Sequence, residues 1–345
     1  MKATIKGIEY YLPKATLTNE YLAEIYPDWS VNKIEKKTGI RTRHIAGENE
    51  CASDLGVRAS QNLLTSTGVS PKSVDYLLFC TQSPDYHLPT SACLIQHRLG
   101  LGLNVGAFDI NLGCSGYIYG LSVAKGLIES GQARTILLVT AETYSKYIHA
   151  NDRSVRTIFG DAGAATLVVG EENDEQSPAH SIGPFVFGTD GAGAENLIVH
   201  IGGQRFRDIE NYRNKNPSPI NPLISEDHLY MNGSAIFNFT LKVVPECIGQ
   251  MLKKCGMGMD QIDRFVFHQA NRFILDHLRQ KLKIPKEKYY INMADCGNTV
   301  SCTIPIALKQ AMNERWLEPG NLVMLVGFGV GYSWGATLVR VTNFF

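Results

Sequence analysis

Two stretches of this chain read as copies of one another: Ser70-Pro71-Lys72-Ser73-Val74-Asp75-Tyr76-Leu77-Leu78-Phe79-Cys80 and Gly258-Met259-Asp260-Gln261-Ile262-Asp263-Arg264-Phe265-Val266-Phe267-His268. Each runs from a polar turn through an Asp into a short apolar run, the pattern of a buried strand. Asp75 and Asp263 lie 188 positions apart. Further along, Gly113-Cys114 and Gly297-Asn298 correspond at an offset of 184. Gly131 to Val139 and Gly320 to Val326 correspond at 189. Three near-equal offsets indicate a duplicated α/β unit.

Each copy alternates apolar strands with amphipathic helices, which predicts layered sheets with helices between and outside them. Leu77–Phe79, Ala107–Ile110 and Thr135–Val139 read as strands of the first copy, and Phe265–Phe267 and Leu322–Val326 as strands of the second. Ala3 to Tyr11 reads as a strand as well. Tyr117, Leu121, Ala124 and Ile128 recur at helical spacing and give one helix an apolar face. Residues 202–227 are rich in Asn, Arg and Pro and read as a long loop, either bordering a site or a tolerated insertion.

Bulk properties narrow the function classes. A chain of 345 residues suits two packed α/β units. Lys plus Arg equals Asp plus Glu at 33 each, which argues against a broad nucleic-acid surface. No apolar stretch approaches the roughly 20 residues that span a bilayer, and the N-terminus has no apolar segment of the signal-peptide kind. The expectation is a cytoplasmic protein. None of the eight cysteines sits in a C-x-x-C pair, so no metal site is expected. Most of them, Cys80, Cys93 and Cys247 included, read as small buried hydrophobes.

Cys114 differs in its setting, Asp109-Ile110-Asn111-Leu112-Gly113-Cys114-Ser115-Gly116-Tyr117. A strand ends, glycines turn the chain and a helix begins. Helix-start N–H groups and the helix dipole would stabilise a thiolate and could hold an oxyanion. The competing reading is a buried, inert cysteine. His268 ends an apolar strand and opens His268-Gln269-Ala270-Asn271, a common place for chemistry in α/β folds, although a lone His reads equally well as structural. Asn298, in Asp295-Cys296-Gly297-Asn298-Thr299, reads alone as a turn residue. The duplication alters that reading, because Asn298 occupies the place in the second copy that Cys114 occupies in the first. Gly327-Phe328-Gly329-Val330-Gly331-Tyr332-Ser333-Trp334-Gly335 lacks the helix and acidic residue of a dinucleotide site. It reads as a tight turn offering backbone N–H groups, or as a plain hairpin.

Together, Cys114 among glycines, His268-Gln269-Ala270-Asn271 and Gly297-Asn298-Thr299 resemble the Cys–His–Asn triad of the β-ketoacyl-acyl carrier protein synthase III family, on the thiolase fold. Thr38-Gly39-Ile40-Arg41-Thr42-Arg43-His44-Ile45, Phe159-Gly160-Asp161-Ala162-Gly163-Ala164 and Phe328 to Gly335 extend the resemblance over nearly the whole chain. It implies an αβαβα sandwich with a thiolase-like half at 1–178 carrying the nucleophilic Cys and another at 179–345 carrying His and Asn. It implies a homodimer acting on acyl-CoA and malonyl-acyl carrier protein, with no cofactor. Cys114 would take the acyl group, and His268 and Asn298 would stabilise the enolate left by decarboxylation. Backbone N–H groups of Cys114 and Val330 would form an oxyanion hole.

The same resemblance assigns Trp29, Lys37, Arg153, Phe159, Leu88, Gly233 and Phe328 to acyl-CoA, with Leu88 reaching across the dimer. It assigns Gln269, Asn271 and Arg272 to the carrier protein. Some positions depart from the family pattern. Phe273 stands where a basic residue is usual, with Arg272 one place earlier. Ser234 replaces Asn, Lys37 replaces Arg, and Val330 replaces Gly. These departures, with a long 202–227 stretch, suggest a branch that handles another acyl donor or acceptor. A thiolase would need a second Cys in the Gly-rich turn. Elongating synthases use two His, and a hydroxymethylglutaryl-CoA synthase needs a Glu acid, for which Glu142 is the candidate and is better read as structural. Two further alternatives are acyl transfer to oxygen or nitrogen without decarboxylation, and a non-catalytic acyl-carrier binding partner.

Overall fold

The structure, a computed structural model, describes residues 1–172, 182–216 and 225–341. The expected boundary at 178/179 and residues 217–224 of the 202–227 stretch lie outside these residues.

Two five-stranded sheets carry the fold. In the first, the strands run in the order Lys2–Tyr11, Ala162–Glu171, Thr135–Glu142, Tyr76–Cys80, Gly106–Ile110. Tyr76–Cys80 pairs in parallel with both of its neighbours, and the other two pairings are antiparallel. The second sheet runs Ile182–Thr189, Ser333–Arg340, Leu322–Gly329, Arg264–Phe267, Tyr289–Tyr290. Its pairings repeat the same sequence of senses, with Arg264–Phe267 parallel to both neighbours. Strand for strand, the two sheets are one pattern used twice.

The helices complete five layers. Helix Gly116–Glu129 buries Tyr117, Ile118, Leu121, Ala124 and Ile128 between the sheets. Its counterpart, Thr303–Asn313, buries Ile304, Ala307, Leu308 and Ala311 in the same cluster, against Leu78 and Leu138 of one sheet and Val266 and Leu325 of the other. Helices Ala52–Thr67 and Ser91–Leu99 cover the outer face of the first sheet, and Gly233–Cys255 and Arg272–Lys281 that of the second. Packing two apolar helices between two sheets buries both inner faces at once, which no single copy could do.

The expected strands are all present, extended by one to a few residues. The 202–227 stretch is not wholly a loop. Ile209–Lys215 forms a helix capped by Asp208, whose side chain accepts from Asn211 N–H at 2.8 Å, and Tyr212 is buried beneath it. The local cap and one aromatic anchor suffice for two turns within an otherwise polar run. No described helix is long and apolar enough to cross a membrane.

Candidate active site

The segment Ser91 to Cys114 places the thiol. Asp109 accepts from the N–H groups of Ser91 and Ala92 at 2.7 and 2.8 Å, fixing the strand end before the turn. Helix Gly116–Glu129 then starts with Ser115 as its first flanking residue. Cys114 is 5% exposed, in an apolar cluster with Tyr144, Val155, Phe159, Leu197, Leu229 and Val300. The Gly-rich turn forms its wall. A Cβ on Gly329 would lie 2.8 Å from Cys114 Cβ and 2.9 Å from its Sγ, so only glycine fits there. Ser115 and Ser333 share a hydrogen bond at 2.7 Å, and Ser333 Oγ donates to Val330 O at 3.0 Å, tying the turn to the helix start.

The thiol is not the depressed thiolate expected from its helix-start setting. Burial, and then the nearby Glu142 carboxyl, push it well above the ordinary thiol range, and the backbone N–H groups of Cys114 and Val330 offset this only in part. A helix dipole acts against desolvation, and at a sulfur this deeply buried desolvation is the larger effect. The resting group is therefore a thiol. Cys93 differs from expectation in the other direction: it is exposed, on helix Ser91–Leu99.

Asn298 is held at both of its ends. Its N–H donates to Ile158 O and its C=O accepts from Gly160 N–H, each at 3.0 Å, in a parallel bridge with Phe159. Phe159 belongs to the Cys114 cluster, so the bridge brings Asn298 up to that cluster. The side-chain Oδ1 accepts from Val300 N–H at 2.9 Å, which leaves the Nδ2 donor edge without a protein partner among the described residues. Val300 has φ 55°, a left-handed conformation that a β-branched residue adopts only at a cost of order 1–3 kcal/mol. That bend aims its N–H at Asn298.

The Thr38 to Ile45 motif acts from behind. Arg43 is fully buried and donates to Asn19 Oδ1 at 2.5 Å and to Thr157 O, while burial lowers its pKa to about 10. Gly297, with φ 74°, leaves room for the Arg43 side chain. Arg41 and Thr42 N–H groups both reach Ala294 O, and Arg41 pairs with Asp295 at 2.7 Å.

His268 follows its strand with N–H donated to Val326 O at 2.8 Å. The ring packs edge-on to Phe328, and Nδ1 lies 2.7 Å from Thr303 Oγ1. Burial lowers its pKa to about 3, so the imidazole is neutral. Neither His268 Nε2 nor Asn298 Nδ2 has a protein partner among the described residues, and neither belongs to the sealed polar atoms left unsatisfied. Both stay available to a substrate.

The remaining expected residues separate into groups. Lys33, Lys37 and Arg153 converge on the Trp29 ring at 5.4, 5.0 and 5.9 Å, a cationic aromatic platform on the surface. Gly233 is exposed at the start of its helix. Leu88 is 83% exposed. Phe159 and Phe328 are buried around the thiol and the imidazole. Gln269 needs correction as a carrier contact. It is 1% exposed, donates to Phe267 O at 2.7 Å, and accepts from Asn292 N–H at 2.7 Å. Its amide braces the strand end and offers nothing to the surface. Asn271 caps the next helix by accepting from Ile274 N–H at 2.9 Å, and Arg272 beside it is exposed.

Sequence reasoning did not single out Thr303, Ser301 or Gln82. Gln82 accepts from Tyr144 OH at 2.7 Å beside Gly113, and Ser301 Oγ donates to Glu142 at 2.8 Å. Their spacing from Asn298 and Glu142 in the sequence carries no signal of contact; the fold supplies it. Among the described residues no cluster of His, Cys, Asp and Glu could hold a metal ion.

The two repeated sheets and the buried Cys, His and Asn define a condensing acyltransferase of the thiolase fold. The chain belongs to the 3-oxoacyl-acyl carrier protein synthase III family, also called β-ketoacyl-acyl carrier protein synthase III. Two family models match it: 3-oxoacyl-[acyl-carrier-protein] synthase III over residues 108–191 and its C-terminal partner over 252–341. The chain is 36% identical to the β-ketoacyl-[acyl-carrier-protein] synthase III of Caldanaerobacter subterraneus, over 98% of this chain and 97% of that one. A crystal structure of a 3-oxoacyl-(acyl-carrier-protein) synthase III superposes with TM-score 0.94 at 49% identity, covering 99% and 100% of the two chains. That of a 3-oxoacyl-(acyl-carrier protein) synthase from Burkholderia xenovorans superposes with TM-score 0.90 at 35% identity, covering 100% and 95%.

Proposed function

We propose that this protein condenses a CoA-borne acyl group with malonyl-acyl carrier protein to give a 3-oxoacyl product. Cys114 Sγ attacks the acyl-CoA carbonyl, the backbone N–H groups of Cys114 and Val330 hold the oxyanion, and the thiol proton ends on the CoA sulfur. Malonyl-acyl carrier protein then enters. His268 Nε2 and Asn298 Nδ2 donate to its thioester oxygen while carboxylate leaves as CO2. The enolate carbon attacks the acyl-Cys carbonyl, and the Cys114 sulfur departs as a thiolate and takes a proton from solvent.

One observation carries this reading. His268 and Asn298 each have one edge tied into the protein and the donor-capable edge unclaimed. Preorganised neutral donors of this kind serve a charge that develops during reaction.

The acyl-CoA nucleotide is placed against Trp29, with Lys37 and Arg153 for its phosphates, and the pantetheine arm along the helix start at Gly233. Phe159 and Phe328, with the partner subunit's Leu88, line the acyl chain in a homodimer. Asn271 and Arg272 meet the carrier protein. No bound cofactor is required, and eight free thiols suit the reducing cytoplasm.

The test uses two readouts on one sample. Intact mass after exposure to mixed acyl-CoA should show one acyl adduct mapping to Cys114, and labelled malonyl-acyl carrier protein should release CO2. An adduct on Cys296 or Cys302, or transfer without CO2, would overturn the proposal.

A further inference from the structure

The imidazole of His268 has one side-chain hydrogen-bond partner, the Thr303 hydroxyl at 2.7 Å from Nδ1. Thr303 opens helix Thr303–Asn313, is 4% exposed, and stands five residues after Asn298. Its Oγ1 also lies 3.0 Å from Val300 O. A hydroxyl has one proton and must choose between these two acceptors. Turned toward Val300 O, it can only accept from Nδ1, which then carries the single proton of a neutral imidazole, and Nε2 is left bare. Turned toward Nδ1, it leaves that proton on Nε2.

Val300 O does not depend on the hydroxyl, because the backbone N–H of Thr303 also donates to it. Nε2 has no protein partner among the described residues, so a proton carried there is free for a substrate.

We propose that Thr303 is a positioning residue for the condensation: its hydroxyl donates to His268 Nδ1 and so keeps the imidazole proton on Nε2, facing the malonyl thioester oxygen. The inference rests on the role given to His268 above. In the step it serves, the bond between the malonyl carbon and its carboxylate breaks, the electron pair becomes the enolate, and CO2 departs. No proton changes owner; Nε2–H only shortens its hydrogen bond to the oxygen. The same Val300 turn orients both donors, through its N–H to Asn298 and its C=O beside Thr303.

Thr303→Val keeps the branched shape and removes the hydroxyl, and Thr303→Ser keeps the hydroxyl. Each is assayed for Cys114 acylation by mass and for CO2 release from labelled malonyl-acyl carrier protein, with His268→Ala as the control. Thr303→Val should acylate at close to the normal rate while CO2 release falls about tenfold or more, of the order seen when a group orienting a metal-bound histidine is lost. Thr303→Ser should recover most of the loss. Nitrogen-15 spectra of histidine-labelled protein, assigned by comparison with His268→Ala, should show an unprotonated Nδ1 in the native protein. A protonated Nδ1, undiminished CO2 release by Thr303→Val, equal losses in Val and Ser variants, or a parallel fall in acylation would each overturn the inference. Normal CO2 release by His268→Ala would instead remove the role of His268 itself.

Discussion

Ser301 Oγ donates to Glu142 Oε1 at 2.8 Å, joining residues 159 positions apart. Glu142 also accepts from Ser83 Oγ at 2.9 Å and Gln82 N–H at 3.1 Å, and is fully buried. It ends the strand Thr135–Glu142 of the first sheet, whereas Ser301 belongs to the segment carrying Asn298 and Thr303. One carboxyl therefore locks the Asn298 corner to the half that holds Cys114.

That carboxyl should give the protein a measurable pH signature. Burial raises its pKa to about 8, against 4.5 ordinarily, despite the hydrogen bonds that lower it. Between those values the folded protein holds a proton that the unfolded chain has lost. The contribution is complete below pH 4.5 and is lost as pH rises through 8, with a slope of up to about 1.4 kcal/mol per pH unit. Glu142→Gln should lack this slope. Melting curves of both proteins across that range should converge or cross toward high pH, and a constant difference would show that Glu142 is ionised throughout.

The two half-reactions should separate by mutation. Cys114→Ala should abolish acylation and retain some decarboxylation of the malonyl donor. His268→Ala and Asn298→Asp should still acylate while CO2 release falls roughly a hundred- to thousandfold, the usual loss for one preorganised oxyanion donor. Asn298→Asp should be the worse of the two, since a carboxylate repels the enolate. Rates of acyl-enzyme formation and of CO2 release, measured separately, decide this.

The platform at Trp29 predicts a salt-dependent Michaelis constant. Arg153→Ala and Lys37→Ala should raise the constant for acyl-CoA, more at low ionic strength than at high. Trp29→Ala should raise it with little salt dependence, because stacking is not screened. Titrations at two salt concentrations distinguish these patterns, and an unchanged constant at low salt would remove the basic residues from the nucleotide site.

Gly329→Ala should disable the nucleophile. Its Cβ would fall under 3 Å from both Cβ and Sγ of Cys114. Relief requires shifting the thiol or the strand Leu322–Gly329, at a cost of about 1–3 kcal/mol. Acylation should fall more than stability suggests, and a variant that acylates normally would show that the turn is looser than drawn.

The parts of this molecule that were legible in sequence are those that depend on local pattern. Leu77 to Phe79 and Phe265 to Phe267 read as strands because both faces are buried and every position is apolar. Tyr117 to Ile128 read as a helix because its apolar face repeats at the helical period. Cys114 and Asn298 could be paired through the repeat, and the family resemblance supplied their company. What local pattern cannot reveal is where side-chain atoms end up. Gln269 sits beside His268 in sequence yet spends its amide on Phe267 and Asn292. Thr303 and Ser301 look like ordinary helix-start hydroxyls until the halves pack. The thiol departs from its helix-start reading because a helix start is visible in sequence and deep burial is not.

The bridge between Phe159 and Asn298 also bears on the history of the chain. Each half now owns part of the other's working corner: the first fixes the Asn298 backbone through Ile158 and Gly160, and the second walls Cys114 with Gly329. Once one corner became Cys and the other Asn, neither copy could be discarded or exchanged for its twin. The duplication is thus a ratchet, with the division of labour as its pawl.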